Sequence, residues 1–221
     1  MEGNYFMHIT IWSDFVCPFC YIGETHLQAA LKNFDHAEQV TIEYKSYLLM
    51  PEATHIQGES YAEAFSRLKG MDHTQVETML QQVTNMAKEA GLSFDFSTAK
   101  MANTNKAHRL FQYAKTKNLG NEFFSRFYRA HFVEGKNFDD KADLISLCTE
   151  VGLDINDVKE IYNSEQYLKE VEQDIAESQK VGVQGVPFFV INNQYAFSGA
   201  QPVEAFEQVL NEVWLHSKNE K

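Results

Sequence analysis

Segments with the pattern of β-strands lie only at the two ends of this 221-residue chain. Near the N-terminus, residues 8–12 and 40–47 alternate in polarity around a helical pattern, which predicts a βαβ unit with two parallel strands. Near the C-terminus, the apolar run 186–191, the turn residues 192–194 and the segment 195–197 predict a hairpin, which a last helix follows. Because a hairpin alone is only marginally stable, we expect one mixed sheet that draws strands from both ends.

The middle of the chain has the apolar periodicity of helices. The helical stripes fall at residues 76–90, 107–114, 123–133 and 144–151, and a longer one runs from 168 toward Gly182. We therefore expect an α/β protein in which residues 1–50 and 166–221 form one discontinuous domain. Residues 51–165 would form a helical domain inserted into it.

The composition excludes several classes of function. Hydrophobic residues make up 44% of the chain and charged residues 23%, as in ordinary globular proteins. The 19 Lys and Arg residues against 31 Asp and Glu residues give a net charge of −12, which repels phosphate backbones and anionic membranes. No apolar run approaches the roughly 18 residues that span a bilayer. We expect neither a nucleic-acid partner nor a membrane partner.

The cysteines and the N-terminus indicate a reducing compartment. Cys17, Cys20 and Cys148 are too few for a disulfide-stapled scaffold. The chain has an acid at Glu2 where a secretory signal has basic residues, and no apolar segment follows it. We therefore expect a cytoplasmic protein, in which a close cysteine pair is more often catalytic, redox-sensing or metal-binding than structural.

The sequence Cys17-Pro18-Phe19-Cys20 joins the first predicted strand to the first predicted helix, the arrangement of thioredoxin-like redox motifs. Proline suits the first helical position, so Cys17 lies beside unpaired N–H groups and the positive end of the helix dipole, which favour a thiolate. Cys20 lies one turn further on, within the span of a disulfide. The alternatives are an inert pair and half of a zinc site, for which no second pair of ligands is evident.

Five segments of the chain carry a combined pattern. They are residues 13–23, 103–104, 107–109, 182–189 and 197–202. Together they resemble the cytosolic DsbA-like oxidoreductases of the FrnE type over nearly the whole chain. The resemblance implies a thioredoxin fold with a large all-helical insertion. It also implies that the cysteine pair faces a cis Val186–Pro187 bond, for which the alternative is an ordinary trans proline at a strand start.

The resemblance also bears on the chemistry of the motif. Kappa-class glutathione transferases and hydroxychromene-carboxylate isomerases are similar in architecture but carry serine where this chain has a cysteine pair, so both cysteines favour dithiol chemistry. Phe19 stands where DsbA has histidine. This difference removes a hydrogen-bond donor to the thiolate and predicts a weaker oxidant than DsbA.

Several neighbours of the cysteines are candidates for binding substrate. We expect Pro18, Phe19, Val186 and Pro187 to contact it, with the backbone of the last two pairing with an extended segment. His108 and Arg109 lie in one of the matched segments and are further candidates. Satisfied core or surface positions are the alternative for both.

Two acids are candidates for tuning the thiols. Asp14 precedes Cys17 by three residues, and the alternative is that it caps the helix together with Ser13. Glu24 lies one turn beyond Cys20 and could accept its proton, and the alternative is a solvated helix face.

Two further features are more typical of packing. Cys148 shares an apolar stripe with its neighbours and is expected to be a buried, inert thiol. The aromatic segment 123–132 covers about half of its helix, so either it packs between two neighbours or one edge lines a groove beside the cysteines.

These residues predict a thiol–disulfide oxidoreductase with Cys17 as nucleophile and Cys20 as resolving thiol. It would need no cofactor beyond its own redox-active disulfide. The expected partners are disulfide- or thiol-containing substrates, with glutathione as a candidate co-substrate and a thioredoxin-type protein as a candidate reductant. The alternatives are a glutathione-dependent transferase or isomerase, and a holdase-like module in which the cysteines are incidental.

Overall fold

The computed structural model describes residues 6–219. The strands are β1 (Met7–Ser13), β2 (Val40–Ser46), β3 (Phe188–Ile191) and β4 (Tyr195–Ser198). The helices are α1 (Pro18–Lys32), α2 (Tyr61–Lys69), α3 (His73–Glu89), α4 (Asn105–Thr116), α5 (Gly120–Phe132), α6 (Lys141–Val151), α7 (Ile155–Asn163), α8 (Leu168–Val181) and α9 (Val203–Asn219). None of these helices is long and apolar enough to cross a membrane.

The strands form one mixed sheet in the order β2-β1-β3-β4. β1 and β2 run parallel, with Met7 opposite Val40. β3 lies antiparallel on the other side of β1, with Ile9 opposite Ile191, and β4 completes the hairpin. The expected mixed sheet is therefore confirmed. It places the carboxyl end of β1, and with it the start of α1, beside the start of β3.

The turn between β3 and β4 explains the two asparagines there. Asn192 and Asn193 have φ angles of 52° and 57°. Asparagine tolerates this left-handed region better than most residues, and two such residues in succession match the twist of the strands that they join.

The helical block contains two helices that the apolar periodicity did not predict, α2 and α7. Both begin at well-formed caps. Ser60 and Glu63 form a reciprocal capping box at α2, and Asp154 accepts from the first N–H groups of α7. The capping pattern Ser-x-x-Glu was visible in the sequence, whereas nine-residue helices show little more than two turns of periodicity.

The segment 123–132 packs in the core instead of lining a groove. Its phenylalanines on α5 are fully buried, and three of them, Phe123, Phe124 and Phe127, pack around Phe15, which follows β1. The ring of Phe15 lies 4.4 Å from that of Phe124, 5.4 Å from that of Phe127 and 4.5 Å from that of His108. The aromatic helix therefore anchors the segment that leads to the cysteines.

A buried carboxylate on α8 joins three elements of the fold. Asp174 accepts hydrogen bonds from the backbone N–H of Ser46 at 2.8 Å and from Nε2 of Gln112 at 2.6 Å. Its carbonyl accepts from the indole of Trp12 at 3.0 Å. The larger of two hydrophobic clusters runs through the sheet and the helical block. The division into 1–50 with 166–221, and 51–165, remains a prediction.

Candidate active site

Cys17 occupies the N-cap position of α1. Its backbone is extended, with φ −91° and ψ 110°, and Pro18 follows at the start of the helix. The N–H of Cys17 donates to the carbonyl of Asp14 at 3.1 Å, which closes a tight turn between β1 and α1. The helix therefore begins at the cysteine itself, as the motif predicted, and its first N–H groups have no side-chain cap.

Cys20 lies one turn further along α1 and is buried, with 1% of its surface exposed. Burial is the main reason that the pKa of Cys20 lies well above its usual value, and the adjacent Cys17 thiol raises it further. The Ser13 hydroxyl, which hydrogen-bonds to Cys20, acts in the opposite direction. The same hydroxyl bonds to Tyr128 of α5. Cys20 is therefore a protonated thiol in a protein interior, and both cysteines are free.

The loop before β3 faces the cysteine pair. The Val186–Pro187 bond is cis, as expected. The thiol of Cys17 donates to the carbonyl of Val186, with 3.4 Å between sulfur and oxygen. α1 comes so close to this loop that a Cβ on Gly23 would lie 3.2 Å from Cγ of Pro187. Glycine at position 23 permits this approach.

Glu24 is buried one turn beyond Cys20 on α1, so the alternative of a solvated helix face is wrong. Its Oε1 accepts from the hydroxyl of Ser125 at 3.1 Å, and its Oε2 has no hydrogen-bond partner. Burial raises the pKa of Glu24 to about 7, against the smaller lowering effects of Tyr44 and Ser125. A carboxyl with such a pKa can hold or release a proton near neutral pH.

Asp14 is fully buried and does not cap α1. Its Oδ2 accepts from the N–H of Leu49 at 2.7 Å, and its Oδ1 lies 3.2 Å from Nε2 of His108. The alternative of a cap shared with Ser13 is therefore wrong, because both side chains point into the core. Asp14 instead ties the turn before Cys17 to the segment after β2 and to α4.

His108 and Arg109 do not reach the groove, which corrects the expectation that they contact substrate. His108 has no exposed surface and packs on Phe15. Arg109 donates to the carbonyls of Ile161, Ser164 and Gln166. These bonds hold the end of α7 and the following turn against α4. Arg109 therefore satisfies backbone carbonyls inside the helical block.

A cavity of about 260 Å³ opens beside Cys17. Pro18, Phe19 and Val186, three of the four expected substrate contacts, line it, while Pro187 lines a neighbouring cavity of about 340 Å³. Part of the lining comes from α2 and α3. The residues of these two helices that line the cavity are Tyr61, Phe65, Lys69, Met79, Leu80 and Val83. The contribution of α2 to the cavity was not predicted, because this short helix itself was not predicted.

Cys148 lies away from this site. It is fully buried in α6, and burial raises the pKa of its thiol far above the usual value. Within residues 6–219, no group of three or more His, Cys, Asp or Glu side chains is placed to hold a metal ion.

Comparison with known proteins identifies the wider family. The family model described as a DSBA-like thioredoxin domain matches residues 8–211. The protein YwbO of Bacillus subtilis is 27% identical over 209 residues, which cover 93% of this chain and 96% of YwbO. The FrnE type within this family is not tested by these matches and remains a prediction.

Two of the solved structures that are similar to this one show the range of the likeness. The probable DsbA oxidoreductase SCO1869 from Streptomyces coelicolor has a TM-score of 0.86 at 30% identity, covering 94% of this chain and 90% of that one. The cytosolic disulfide reductase DsbM from Pseudomonas aeruginosa, solved with GSH, has a TM-score of 0.63 at 18% identity, covering 95% and 99%. The second likeness concerns the fold alone.

Proposed function

The chain belongs to the family of DsbA-like thioredoxin domains, and from that membership we propose that it exchanges thiols and disulfides with Cys17 as nucleophile and Cys20 as resolving thiol. The observation that carries the proposal is the position of Cys17. It lies at the N-cap of α1, faces the carbonyl of Val186 and lines a cavity. The thiolate is the form of a cysteine that attacks a disulfide, and the cavity gives a substrate sulfur a place beside Cys17.

The exchange proceeds in two balanced steps. The thiolate of Cys17 attacks one sulfur of the substrate disulfide, so that a mixed disulfide forms and one substrate thiolate leaves. The thiolate of Cys20 then attacks the Cys17 sulfur and releases the second substrate thiolate. Two electrons pass to the substrate, and the protein is left with a Cys17–Cys20 disulfide. The reverse sequence oxidises a dithiol.

We propose Glu24 as the group that accepts the proton of Cys20. Cys20 must lose this proton before the second step, and its pKa is raised. Glu24 lies one turn along the same helix, is equally enclosed and has a pKa of about 7. Ser125 bonds to Glu24 and is itself exposed, so it offers the proton a way to solvent. Asp14 acts as a positioning residue that fixes the turn before Cys17.

The remaining roles concern binding and turnover. We propose that Pro18, Phe19, Val186 and Pro187 form the surface that receives the substrate, because they surround the Cys17 thiol. Glutathione or a thioredoxin-type protein would reduce the Cys17–Cys20 disulfide, and the similar fold of DsbM, solved with GSH, supports the first of these. The cytoplasm is the proposed compartment.

Reduction of insulin by dithiothreitol, with wild type and three Cys→Ser variants, tests the assignment. Cys17→Ser should lose all catalysis. Cys20→Ser should accumulate a mixed disulfide with the substrate, which mass spectrometry detects. Cys148→Ser is the matched control and should behave as wild type. Full activity in Cys17→Ser would contradict the proposal, and retained suppression of aggregation in that variant would support a holdase instead.

A further inference from the structure

We propose that the cavity beside Cys17 selects low-molecular-weight disulfides whose sulfur bears a compact apolar group, with a carboxylate beyond it that binds Lys69. The inference rests on the proposed function, since it concerns the substrate of the same thiol. Cys17 and Lys69, which belongs to α2, both line this cavity. A substrate that fills the cavity would bring its disulfide to Cys17 and its carboxylate to Lys69.

The other side chains that line the cavity are mainly apolar. Ten residues contribute the side chains, namely Val16, Pro18, Phe19, Leu49, Met50, Tyr61, Phe65, Met79, Leu80 and Val83. Gly185 and Val186, in the loop before β3, complete the lining beside Cys17. A volume of about 260 Å³ is below the range of drug-sized pockets, so the cavity suits a single ring or a short branched chain. Burying such a group against these walls is favourable, because both surfaces leave water. An amide-rich chain would instead leave polar groups without partners there.

Lys69 is the only basic or acidic residue among the described residues that line this cavity, apart from the Cys17 thiol itself. It is exposed in the last turn of α2, and within residues 6–219 its ammonium group has no ion-pair partner. Arg67, on the same turn, differs in this respect, because it binds both carboxylate oxygens of Glu59 at 2.8 Å. Lys69 is therefore available for an external anion.

The charge of the whole chain makes this lysine selective. At a net charge of −12, the surface as a whole repels anions. A carboxylate is therefore favoured only where a local cation compensates, and Lys69 does so in the cavity that Cys17 lines. Glutathione disulfide also has carboxylates, but its peptide groups suit the apolar walls poorly. We expect an aryl carboxylate disulfide to react faster than glutathione disulfide.

The probe for the test is bis(3-carboxy-4-nitrophenyl) disulfide, with its dimethyl ester as the neutral counterpart. Cys17 attacks one sulfur of the probe and forms a mixed disulfide, and the coloured nitrothiolate leaves. Cys20 displaces the second nitrothiolate, so that one dithiol yields two of them and no other reductant is needed. The measured quantity is the ratio of the single-turnover rates for the carboxylate and the ester.

Lys69→Met should lower this ratio about threefold, the size expected for one exposed charge pair. The effect should shrink at high salt, which screens such pairs. Lys159→Met is the matched control, since it removes one exposed, remote charge, and it should leave the ratio as in wild type. Equal ratios in the two lysine variants would overturn the assignment of the carboxylate site.

A second variant tests the apolar part. Met79→Trp places a larger side chain on the half-buried wall of α3 and should slow both aryl probes relative to bis(2-hydroxyethyl) disulfide. Equal slowing of all three would overturn the apolar selection. If instead wild type reacted with none of the disulfides, or Cys17→Ser reacted as fast as wild type, the proposed function itself would be wrong.

Discussion

The burial of the Glu24 carboxyl makes the stability of the protein depend on pH. A buried carboxyl prefers its neutral form, and the raised pKa of Glu24, about 7, expresses that preference. Between about pH 4.5 and 7, the folded protein therefore keeps a proton on Glu24 that the unfolded chain has released. Proton binding at Glu24 therefore contributes to the free energy of unfolding at low pH. That contribution is lost as the pH rises from about 4.5 to 7.

Glu24→Gln should slow resolution of the mixed disulfide by at least about tenfold near neutral pH, because a positioned base typically contributes more than this. The first step, attack by Cys17, should be much less affected. Quenched-flow mass spectrometry of the mixed disulfide separates the two steps. The deficit should diminish at high pH, where hydroxide deprotonates Cys20. Glu122→Gln on the exposed face of α5 is the control.

An unchanged resolution rate in Glu24→Gln would mean that another group takes the proton of Cys20. The same variant should also unfold less readily at pH 8 than wild type, since the buried charge is removed. A gain in stability with no loss of rate would leave Glu24 as a structural residue.

At the residue scale, part of this site could be predicted. The motif placed Cys17 and Cys20 correctly, and the helical period places Glu24 on the same face as Leu27 and Leu31, which are buried. That spacing was a usable signal for burial of the acid. The partners of Glu24 and Asp14 could not be predicted, because Ser125 and His108 are about a hundred residues away in the chain.

At the scale of elements, α5 carries a histidine whose surroundings are unusual. His131 is fully buried, and neither of its ring nitrogens has a hydrogen-bond partner. Its ring stacks on Phe138 at 5.4 Å and meets Phe132 edge-on at 4.6 Å. Burial lowers the pKa of His131 to about 4, slightly offset by the charge of Asp14. The neutral imidazole therefore occupies a site suited to a hydrocarbon ring.

His131→Phe should stabilise the protein, and the gain should grow on acidification. The unfolded chain takes up a proton at this histidine near pH 6.5, and the folded protein does so only near 4, so stability is lost as the pH falls through that range. In wild type, this lowers the free energy of unfolding by up to about 3 kcal/mol, and the variant removes that loss. Urea unfolding at several pH values measures it.

The comparison must be made against wild type at each pH, because Glu24 contributes a slope of opposite sign in an overlapping range. His73→Gln, at an exposed histidine on α3, serves as the control and should follow wild type. A constant difference between His131→Phe and wild type from pH 7 to 4 would contradict the buried neutral histidine.

The elements themselves were predictable where their patterns were long. β1, β2 and the hairpin alternate or run apolar between clear turn residues, and α3 has four turns of apolar period. α2 and α7 were missed because their apolar faces are short and their stability comes from caps and from packing on neighbours. Because α2 was not predicted, the part of the cavity wall that it forms, including Lys69, was not predicted either.

At the scale of the whole molecule, the two halves of the fold share their interior. Phe15 extends from the end of β1 into the aromatic cluster of α4 and α5. Asp174 of α8 binds Ser46 at the end of β2 and Gln112 of α4. A helical block that packs in this way completes the core of the sheet domain, so we expect it not to unfold separately.

Two probes can test this cooperativity in a Cys17→Ser, Cys20→Ser background. Fluorescence of Trp12 and Trp214 reports on the sheet half, and alkylation of the buried Cys148 reports on the helical block. Their denaturant midpoints should coincide, as in two-state unfolding. Phe15→Ala should lower both midpoints together, because it should reduce the free energy of unfolding by about 3–5 kcal/mol. Phe6→Ala, which removes an exposed ring, is the control and should change both midpoints little. If Cys148 became reactive at lower denaturant than the tryptophan transition, the helical block would be an independent domain, and its aromatic cluster would not support the turn that carries Cys17.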